Sequence, residues 1–478
     1  MSERQTADTV RLTIDGSEVE VSVGSTIWDA ARAAGVEIPV LCHDPRLPPV
    51  GVCRVCLVDV GEKKLAASCV REAADGMTVA TRNDKIDACR KGLTELLLSD
   101  YPADAESGSK TQSDELLALA AEYGVEWPPP VVNADRTAPV AGIPSGNGRP
   151  IDSSSPVIRV DHQSCILCDR CIRACDDVQV NAVIGRTGKG YSTRIGFDLD
   201  DPMGVSTCVS CGECEKVCPT GALSLVQLVD NLMIPAARPR SELQQVDSVC
   251  PYCGVGCAIT YHVDAEQNRV VYADGRASPV NHERLCVKGR YGFDYAHHPQ
   301  RLTVPLIRKD SAYPKGPLSP EVEEPDQTRR RRPGGLVDYQ HVLPHFREAT
   351  WEEALEVAGR RLREIREENG SSALAGFGSA KCSNEEAYLF QKLIRAGFGT
   401  NNIDHCTRLC HASSVAALLE TIGSGAVTNV FADVENADVA LITGSNTTAN
   451  HPVAATFMKQ AVKSGRTKLI VVEPRHID

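Results

Sequence analysis

Residues 165–175, CILCDRCIRAC, and residues 208–218, CVSCGECEKVC, each place four cysteines at the spacing C-x2-C-x2-C-x3-C. Thiolates at this spacing hold [4Fe–4S] clusters, and where two such runs occur together the fourth cysteine of each run binds the other cluster. The alternative is structural zinc, which usually uses paired C-x2-C motifs instead of triplets. The spacing therefore predicts two clusters, one bound by Cys165, Cys168, Cys171 and Cys218 and the other by Cys208, Cys211, Cys214 and Cys175.

This double run is typical of a bacterial-type ferredoxin domain, which we place at residues 156–235. Before it, residues 9–23 alternate apolar and polar side chains about an Asp15-Gly16 turn, and a capping-box pattern at Thr26 predicts a helix. A hairpin, a helix and a cysteine-bearing loop predict a β-grasp domain at residues 1–95, with one [2Fe–2S] cluster bound by Cys42, Cys53, Cys56 and Cys69. Four unrelated buried thiols are the alternative.

After the ferredoxin domain, a further set of cysteines has the spacing C-x2-C-x3-C-x28-C and encloses two apolar segments that read as strands. We expect a domain at residues 245–305 with a third [4Fe–4S] cluster, bound by Cys250, Cys253, Cys257 and Cys286. Residues 96–155 are rich in Pro, Ser and Gly and are interpreted as a linker, and residues 309–345 as an exposed insertion.

The composition limits the other function classes. The chain has 478 residues, 20 cysteines, a formal net charge of −12 and no run of 18 apolar residues. The acidic balance argues against nucleic acid as a partner, and the hydropathy argues against direct membrane insertion. The first residues contain no apolar segment like the core of a secretory signal, so we expect a cytoplasmic protein whose clustered cysteines bind metal instead of forming disulfides.

From residue 346 to residue 478, helical patterns alternate with short apolar segments, which predicts a partial α/β domain with a parallel sheet and a ligand-binding loop after Gly444. The expected fold is thus multidomain, α+β followed by α/β. Within this region, residues 405–415, HCTRLCHASSV, contain Cys406, Cys410 and His411. Taken alone, the stretch favours two buried thiols, and a metal-binding and proton-transferring pair is the alternative.

Four further segments stand out beside the order of these domains: LCVKGR, NEEAYLFQKLIRAGFGTNNIDHCTRLCHASSV, GSNTTANHP and VVEPR. Together, the domain order and these segments resemble the N-terminal half of the alpha, catalytic subunit of cytosolic, NAD-linked formate dehydrogenases of the molybdopterin oxidoreductase family. The resemblance implies a molybdenum or tungsten ion held by bis-molybdopterin guanine dinucleotide, which oxidises formate to CO2. It implies Cys410 as the protein ligand to the metal, His411 as the proton-handling group and Lys288 as a cation between the pterin and the nearest cluster. It further implies that the nucleotide part of the cofactor is bound by Gly444, Asn446, His451, Glu473 and Arg475, and that Cys406 only packs.

Two departures from this family stand out. Its members commonly carry a further [4Fe–4S] cluster bound by one histidine and three cysteines, and those positions here are Tyr101, Ala105, Gly108 and Asp114, so we expect this cluster to be absent. The family also continues for several hundred residues after the segment VVEPRHID. We therefore expect the catalytic site to be incomplete in this chain, which is either a fragment or one of two polypeptides that complete the domain together.

The resemblance also implies a partner, a flavin- and NAD-binding diaphorase subunit, because no nicotinamide-binding fingerprint stands out in this sequence. Two other functions stay open. One is a non-catalytic electron-transfer subunit like the large iron–sulfur subunit of respiratory complex I, and the other is a different pterin oxidoreductase such as nitrate reductase. The Cys410-His411 pair favours the catalytic lineage, since the complex I subunit is not expected to keep it.

Overall fold

The computed structural model describes residues 9–102, 114–126, 150–229, 238–312 and 342–477. It divides into two compact units, the first formed by Met1–Phe293 with Val430–Asp478 and the second by Asp294–Asn429. Most of the expected insertion at residues 309–345 lies outside the described residues, as does most of the linker at residues 96–155. No helix in the described part of the chain combines the length and the apolar character needed to cross a membrane.

The first unit begins with a small sheet that packs on a helix. Its elements are β1 (Thr9–Ile14), β2 (Ser17–Ser22), α1 (Ile27–Ala33), β3 (Leu57–Val58), β4 (Ala66–Ala67), β5 (Thr78–Val79), α2 (Asp84–Leu98) and α3 (Glu115–Glu122). The predicted hairpin is confirmed, because β1 pairs antiparallel with β2 about Asp15 and Gly16, whose φ angles are 47° and 85°. The capping box at Thr26 and Asp29 is confirmed as well. β5 joins the other edge of β1 in parallel, and the core beneath includes Cys56 and Cys69.

The double-run segment forms a compact body with repeated local geometry. It contains β6 (Ile151–Asp152), β7 (Ile158–Asp161), α4 (Arg170–Arg173), β8 (Ile184–Thr187), β9 (Arg194–Phe197), α5 (Glu213–Lys216) and β10 (Leu223–Leu225). The strands form one sheet in the order β10-β7-β6 and one hairpin of β8 and β9. Helix α4 continues into a π-helical turn, Ala174–Val178, which carries Cys175. Cysteines of both runs lie in the same hydrophobic core.

The third cysteine domain is an antiparallel sheet with one short helix. Strands β11 (Gln244–Val249), β12 (Ala258–Asp264) and β13 (Arg269–Gly275) pair in that order, and α6 (Val287–Tyr291) follows the last cysteine. The two strands expected inside the cysteine spacing are therefore confirmed. Side chains of the sheet and the buried Cys250 and Cys257 share a core with Phe457, which comes from the end of the chain.

The second unit contains two short strand pairs and four α-helices among its described residues. They are β14 (Leu306–Arg308), β15 (Phe346–Glu348), α7 (Trp351–Asn369), β16 (Gly376–Gly378), α8 (Asn384–Lys392), β17 (Ile403–His405), α9 (Thr407–Cys410) and α10 (Ala412–Ile422). β16 pairs in parallel with β17, as expected for an α/β arrangement. Phe377 in β16 is 82% exposed, and within the described part of this unit only Leu374, Gly376 and Ile394 are buried.

The last residues return to the first unit. They form β18 (Val439–Thr443), α11 (Thr447–Asn450), α12 (Pro452–Lys463) and β19 (Lys468–Val472), with β18 and β19 paired in parallel. Helix α12 is held against the third cysteine domain by Arg284, whose guanidinium donates to the Thr456 hydroxyl at 2.8 Å and to the Gln460 side chain at 2.7 Å. Residues 346–478, expected as one α/β domain, are therefore distributed over both compact units.

Candidate redox centres

The first cysteine site lies in the loops that follow α1. The amide of Cys53 donates to the Cys42 sulfur at 3.5 Å, and the sulfurs of Cys56 and Cys69 are 3.3 Å apart. Hydrogen bonds from the thiols of Cys53 and Cys69 lower the pKa of Cys42, which favours its thiolate form. The structure thus brings together the four cysteines expected to bind a [2Fe–2S] cluster.

The second site is a small cavity of about 10 Å³ in the double-run segment. It is lined by Cys165, Cys168, Cys171 and Cys218, which is the set that the two-run spacing groups around one cluster. Burial, with the nearby Cys218, raises the pKa of Cys168 to about 12. Thiols that crowd together in a dry cavity are costly to ionise, and a bound metal removes that cost because it takes up the thiolates.

The third site has the same local geometry as the second. The first residue after Cys168 and the first after Cys211 both have a left-handed backbone, with φ of 61° at Asp169 and 78° at Gly212, and each precedes a short helix that carries the next cysteine. Burial and the neighbouring Cys175 raise the pKa of Cys208. Cys175, from the first run, therefore lies with the cysteines of the second run, as the exchange of fourth cysteines requires.

The fourth site is a small cavity of about 10 Å³ beside α6, lined by Cys250, Cys253, Cys257 and Cys286. Burial and then the charges of the other three thiols raise the pKa of Cys257 to about 12. Lys288, two residues after the last cysteine, is exposed and also lines this cavity, which places a cation next to the cysteines. Asn450 and Pro452 line it from the far end of the chain.

The donor sets fit iron–sulfur clusters. Among the described residues, no group of three or more His, Cys, Asp or Glu side chains is placed to hold a metal ion directly. A cluster contains its own bridging sulfides, so its cysteines surround a space and not a single ion. Cavities lined by four thiols match that requirement.

Cys410 and His411 lie in the second unit, at the break between α9 and α10. Cys410 is the last residue of α9, His411 is the cap between the two helices, and both are exposed. The expectation that Cys406 packs in the interior is wrong in this structure. Cys406 is exposed and its sulfur accepts a hydrogen bond from the Ala380 amide at 3.2 Å, because the loop after β16 lies beside it and no core covers it.

The second unit contains an open cavity that the sequence patterns did not indicate. This open cavity of about 570 Å³ lies at the carboxyl ends of β16 and β17 and is lined by residues that include Gly378, Ser379, Cys382 and His405. Ligands of parallel sheets bind at the carboxyl ends of strands, so the end of the GFG segment at Gly378 was the available signal. Helix α9, which ends at Cys410, begins two residues after His405.

The residues expected to bind the nucleotide part of a cofactor gather at the carboxyl ends of β18 and β19. Gly444 follows β18 with a φ of 65°, and its amide donates to the Val472 carbonyl at 2.9 Å. Glu473 and Arg475 follow β19, with the Arg475 Nε 3.5 Å from a Glu473 carboxylate oxygen. Asn446 and His451 flank α11, the short helix after Gly444.

At the positions of the further family cluster, the structure shows a hydrogen bond between two side chains. The Tyr101 hydroxyl donates to the Asp114 carboxylate at 2.5 Å. Asp114 also caps α3, because its other carboxylate oxygen accepts from the amides of Leu116 and Leu117. The two remaining positions, Ala105 and Gly108, lie outside the described residues.

Two buried arginines near the cysteines were also missed. Arg173 lies between Cys171 and Cys175, and Arg290 lies in α6 and donates to the Cys211 carbonyl at 2.6 Å. Arg290 is fully buried and forms an ion pair of 3.0 Å with Glu213, which is 1% exposed. Charged residues are rarely buried unless they are paired. The partner of Arg290 lies more than seventy residues away in the sequence, so no simple sequence signal marks this pair.

Comparison with known proteins assigns four domain types along the chain. Residues 7–84 match a 2Fe-2S iron-sulfur cluster binding domain, and residues 155–224 match the ferredoxin-like domain of NADH-quinone oxidoreductase subunit 3. Residues 243–298 match the molybdopterin oxidoreductase Fe4S4 domain, and residues 301–477 match molybdopterin oxidoreductase.

Similar proteins are about twice as long as this chain. It is 31% identical over 504 residues to "Probable oxidoreductase YjgC" of Bacillus subtilis (strain 168), covering 97% of this chain and 46% of that protein. It is 29% identical to "Putative formate dehydrogenase SH0748" of Staphylococcus haemolyticus (strain JCSC1435), with coverages of 97% and 46%. It is 31% identical to an NADH-quinone oxidoreductase subunit of Rhizobium meliloti (strain 1021), with coverages of 98% and 48%. The chain therefore carries a 2Fe-2S domain, a ferredoxin-like domain and the Fe4S4 and molybdopterin domains of the molybdopterin oxidoreductases.

Proposed function

We propose that this chain is the N-terminal part of the catalytic subunit of a formate dehydrogenase, which oxidises formate to CO2 and passes the electrons through iron–sulfur clusters to a partner subunit. The observation that carries the proposal is the position of Cys410 and His411. They lie at a helix break that closely follows β17, whose carboxyl end lines the open cavity of the second unit. The identity to a protein named as a formate dehydrogenase supports the choice of substrate.

The chemistry assigns a separate task to each residue. Formate loses one proton and two electrons when it becomes CO2. The bis-molybdopterin guanine dinucleotide centre, with molybdenum or tungsten, supplies the two-electron acceptor when it is bound. Cys410 offers a soft thiolate ligand to that metal, and His411 can take up the proton because an imidazole changes its charge near neutral pH. Gly444, Asn446, His451, Glu473 and Arg475 are proposed to hold the nucleotide part.

The electrons then move singly through the cysteine sites. In this proposal the cavity of Cys250 to Cys286 receives them first, with the Lys288 ammonium at its edge stabilising the added negative charge. The two ferredoxin sites follow, and the site of Cys42 to Cys69 delivers the electrons to a partner. We propose that this partner is a flavin- and NAD-binding diaphorase subunit.

A further polypeptide segment is proposed to cover the second unit. Its helices leave large apolar side chains in solvent, among them Trp351 at 65%, Phe377 at 82% and Leu409 at 94% exposure. Exposed apolar surface of this extent marks an interaction surface. Because the chain spans about half the length of the relatives it matches, the remainder of a molybdopterin domain is the proposed occupant, whichever polypeptide carries it.

A second candidate is an electron-transfer subunit without a substrate site. The 31% identity to a protein named as part of an NADH-quinone oxidoreductase favours this function. The two candidates differ at Cys410, because only the enzyme needs a thiolate at that position.

Formate-dependent reduction of a redox dye by the anaerobically purified complex tests the proposal. Cys410→Ala should abolish the reaction, while Cys406→Ala, four residues earlier and with no assigned role, should leave the rate unchanged. Metal and pterin analysis of all three proteins distinguishes loss of chemistry from loss of cofactor. Dye reduction by Cys410→Ala at the wild-type rate overturns the assignment of Cys410 as the metal ligand. A wild-type complex that contains its full metal and pterin content but does not reduce the dye with formate favours the electron-transfer subunit.

A further inference from the structure

One buried arginine connects the first cysteine site to the second. Arg173 is 8% exposed and lies between Cys171 and Cys175. Its Nη2 donates to the backbone carbonyl of Cys42 and, at 3.5 Å, to the backbone carbonyl of Cys168. Two hydrogen bonds through one nitrogen keep the two carbonyl oxygens within about 7 Å of each other. These carbonyls belong to cysteines of two different sites, so the sites are direct neighbours.

The rest of the guanidinium reinforces the same junction. Nη1 donates to the carbonyl of Pro48, in the loop between Cys42 and Cys53, and Nε donates to the carbonyl of Asp169 at 3.3 Å. Arg173 therefore holds two backbone groups of the β-grasp loop and two of the ferredoxin run. Lysine cannot reproduce this arrangement, because its ammonium lacks the planar fork of donors.

Apolar packing closes the junction beside Arg173. A buried cluster formed by Leu41, Val55, Leu98, Tyr101, Leu116, Leu119 and Ala120 has Cys53 and Ile166 packed against it. Cys53 belongs to the first site, and Ile166 is adjacent to Cys165 of the second site. The apolar cluster is therefore bordered by Cys53, an expected ligand of the first site, and by Ile166, the neighbour of an expected ligand of the second site.

Helix α3 seals one side of this junction. Glu115 at its start forms a two-pronged ion pair with Arg170 at 2.8 and 2.9 Å, and its amide donates to the Pro219 carbonyl at 2.8 Å. Tyr101 and Asp114, hydrogen bonded to each other, occupy positions where the family resemblance implies ligands of an additional cluster. In this chain those positions serve to join protein segments.

We propose that Arg173 is the positioning residue that holds the site of Cys42, Cys53, Cys56 and Cys69 against the site of Cys165, Cys168, Cys171 and Cys218, so that the electron transfer between them is direct. The proposal rests on the clusters assigned to these sites under the proposed function. One electron leaves the reduced [4Fe–4S] cluster and reduces the oxidised [2Fe–2S] cluster, and no bond forms or breaks. The fixed positive charge of Arg173 lies between the two sites and stabilises the reduced state of either one.

Electron paramagnetic resonance on the dithionite-reduced complex tests this proposal without formate. In the wild-type protein, reduction of the ferredoxin clusters should speed the spin relaxation of the [2Fe–2S] signal, because neighbouring spins couple. Arg173→Gln should lose this coupling while its iron content stays at the wild-type level. Arg186→Gln is the matched control, since Arg186 binds the Leu167 carbonyl and the Asp169 carboxylate on the same run and, among the described residues, makes no hydrogen bond to the loop between Cys42 and Cys53.

If Arg173→Gln loses iron, Arg173→Lys is measured in its place. It keeps the charge but not the fork, so its coupling should be weaker than in the wild-type protein and in Arg186→Gln. Wild-type coupling in an iron-replete Arg173 variant overturns the positioning role, and two reduced but uncoupled signals in the wild-type protein overturn direct transfer. Dithionite supplies the electrons in this experiment. Both results can therefore be interpreted even if the complex shows no activity with formate.

Discussion

The ion pair between Glu213 and Arg290 should be the most sensitive electrostatic contact in the first unit. The Glu213 and Arg290 side chains are 1% and 0% exposed, and their nearest atoms are 3.0 Å apart. Arg290 also contacts Asp274 at 3.1 Å and the Cys211 carbonyl at 2.6 Å, so it joins α6 to the second ferredoxin run. Burial opposes the charge of Arg290, but Glu213 and Asp274 raise its pKa above the ordinary value, so the guanidinium is charged in the folded protein.

The substitution Glu213→Gln keeps the shape of the side chain and removes its charge. The fully buried guanidinium then keeps only Asp274, which is 24% exposed, as a carboxylate partner. Breaking a buried pair in this way costs about 3–5 kcal/mol, because an uncompensated charge stays in the interior. Arg290→Met should cost a similar amount. The double variant should recover at least about 2 kcal/mol of the summed losses, since neither of the two fully buried charges then remains. The other partners, Arg46 of Glu213 and Asp274 of Arg290, are 22% and 24% exposed and reach water.

Native-state hydrogen exchange measures this loss locally and does not require two-state unfolding of a multidomain protein. Peptides that cover α6 and residues 208–218 should exchange about 150- to 5000-fold faster in Glu213→Gln, which corresponds to the lost free energy. Asp169→Asn is the control, because its pair with Arg186 has exposures of 21% and 42% and should contribute about 0–1 kcal/mol. Exchange in Glu213→Gln at the wild-type rate would refute the reasoning.

Three further predictions follow from single features. Gly212→Ala should destabilise α5 and speed its hydrogen exchange, since a methyl group there meets the Arg290 side chain and the backbone has a φ of 78°. Burial lowers the pKa of His262 below 6.5, so the unfolded chain binds a proton more readily than the folded protein and stability should fall as the pH drops. The thermal midpoint of His262→Phe, which keeps the stacking on Tyr272, should change less with pH than the wild-type midpoint over about pH 5 to 8. Iron analysis of the anaerobic protein should give about 14 irons per chain, whereas about 18 would show that the further [4Fe–4S] cluster is present.

Local sequence patterns were sufficient for much of the fold. The hairpin at Asp15-Gly16 and the helix start at Thr26 depend on neighbouring residues only, and the structure confirms them. The grouping of the cysteines also follows from spacing. The structure places Cys218 with the first run and Cys175 beside the second run, because each run bends around a left-handed residue and a short helix.

The contacts between distant segments could not be predicted. Arg173 and Arg290 read as surface charges in the sequence, and their burial depends on carbonyls and carboxylates that the fold brings from other domains. Residues 430–478 pack with the first unit because the buried Phe457 and Val453 meet the core of the third cysteine domain. The exposure of Cys406 was missed for a related reason, since the burial tendency of cysteine says nothing about which surface covers it.

Reduction of the clusters by formate alone tests the central claim most directly. The complex is mixed anaerobically with formate, without dye or dithionite, and the iron–sulfur signals are recorded by electron paramagnetic resonance. Formate should reduce the clusters in the wild-type protein and leave them oxidised in Cys410→Ala, while dithionite should reduce both proteins equally. Clusters that stay oxidised in a wild-type complex with its full metal and pterin content, or that formate reduces equally in Cys410→Ala, would contradict the account.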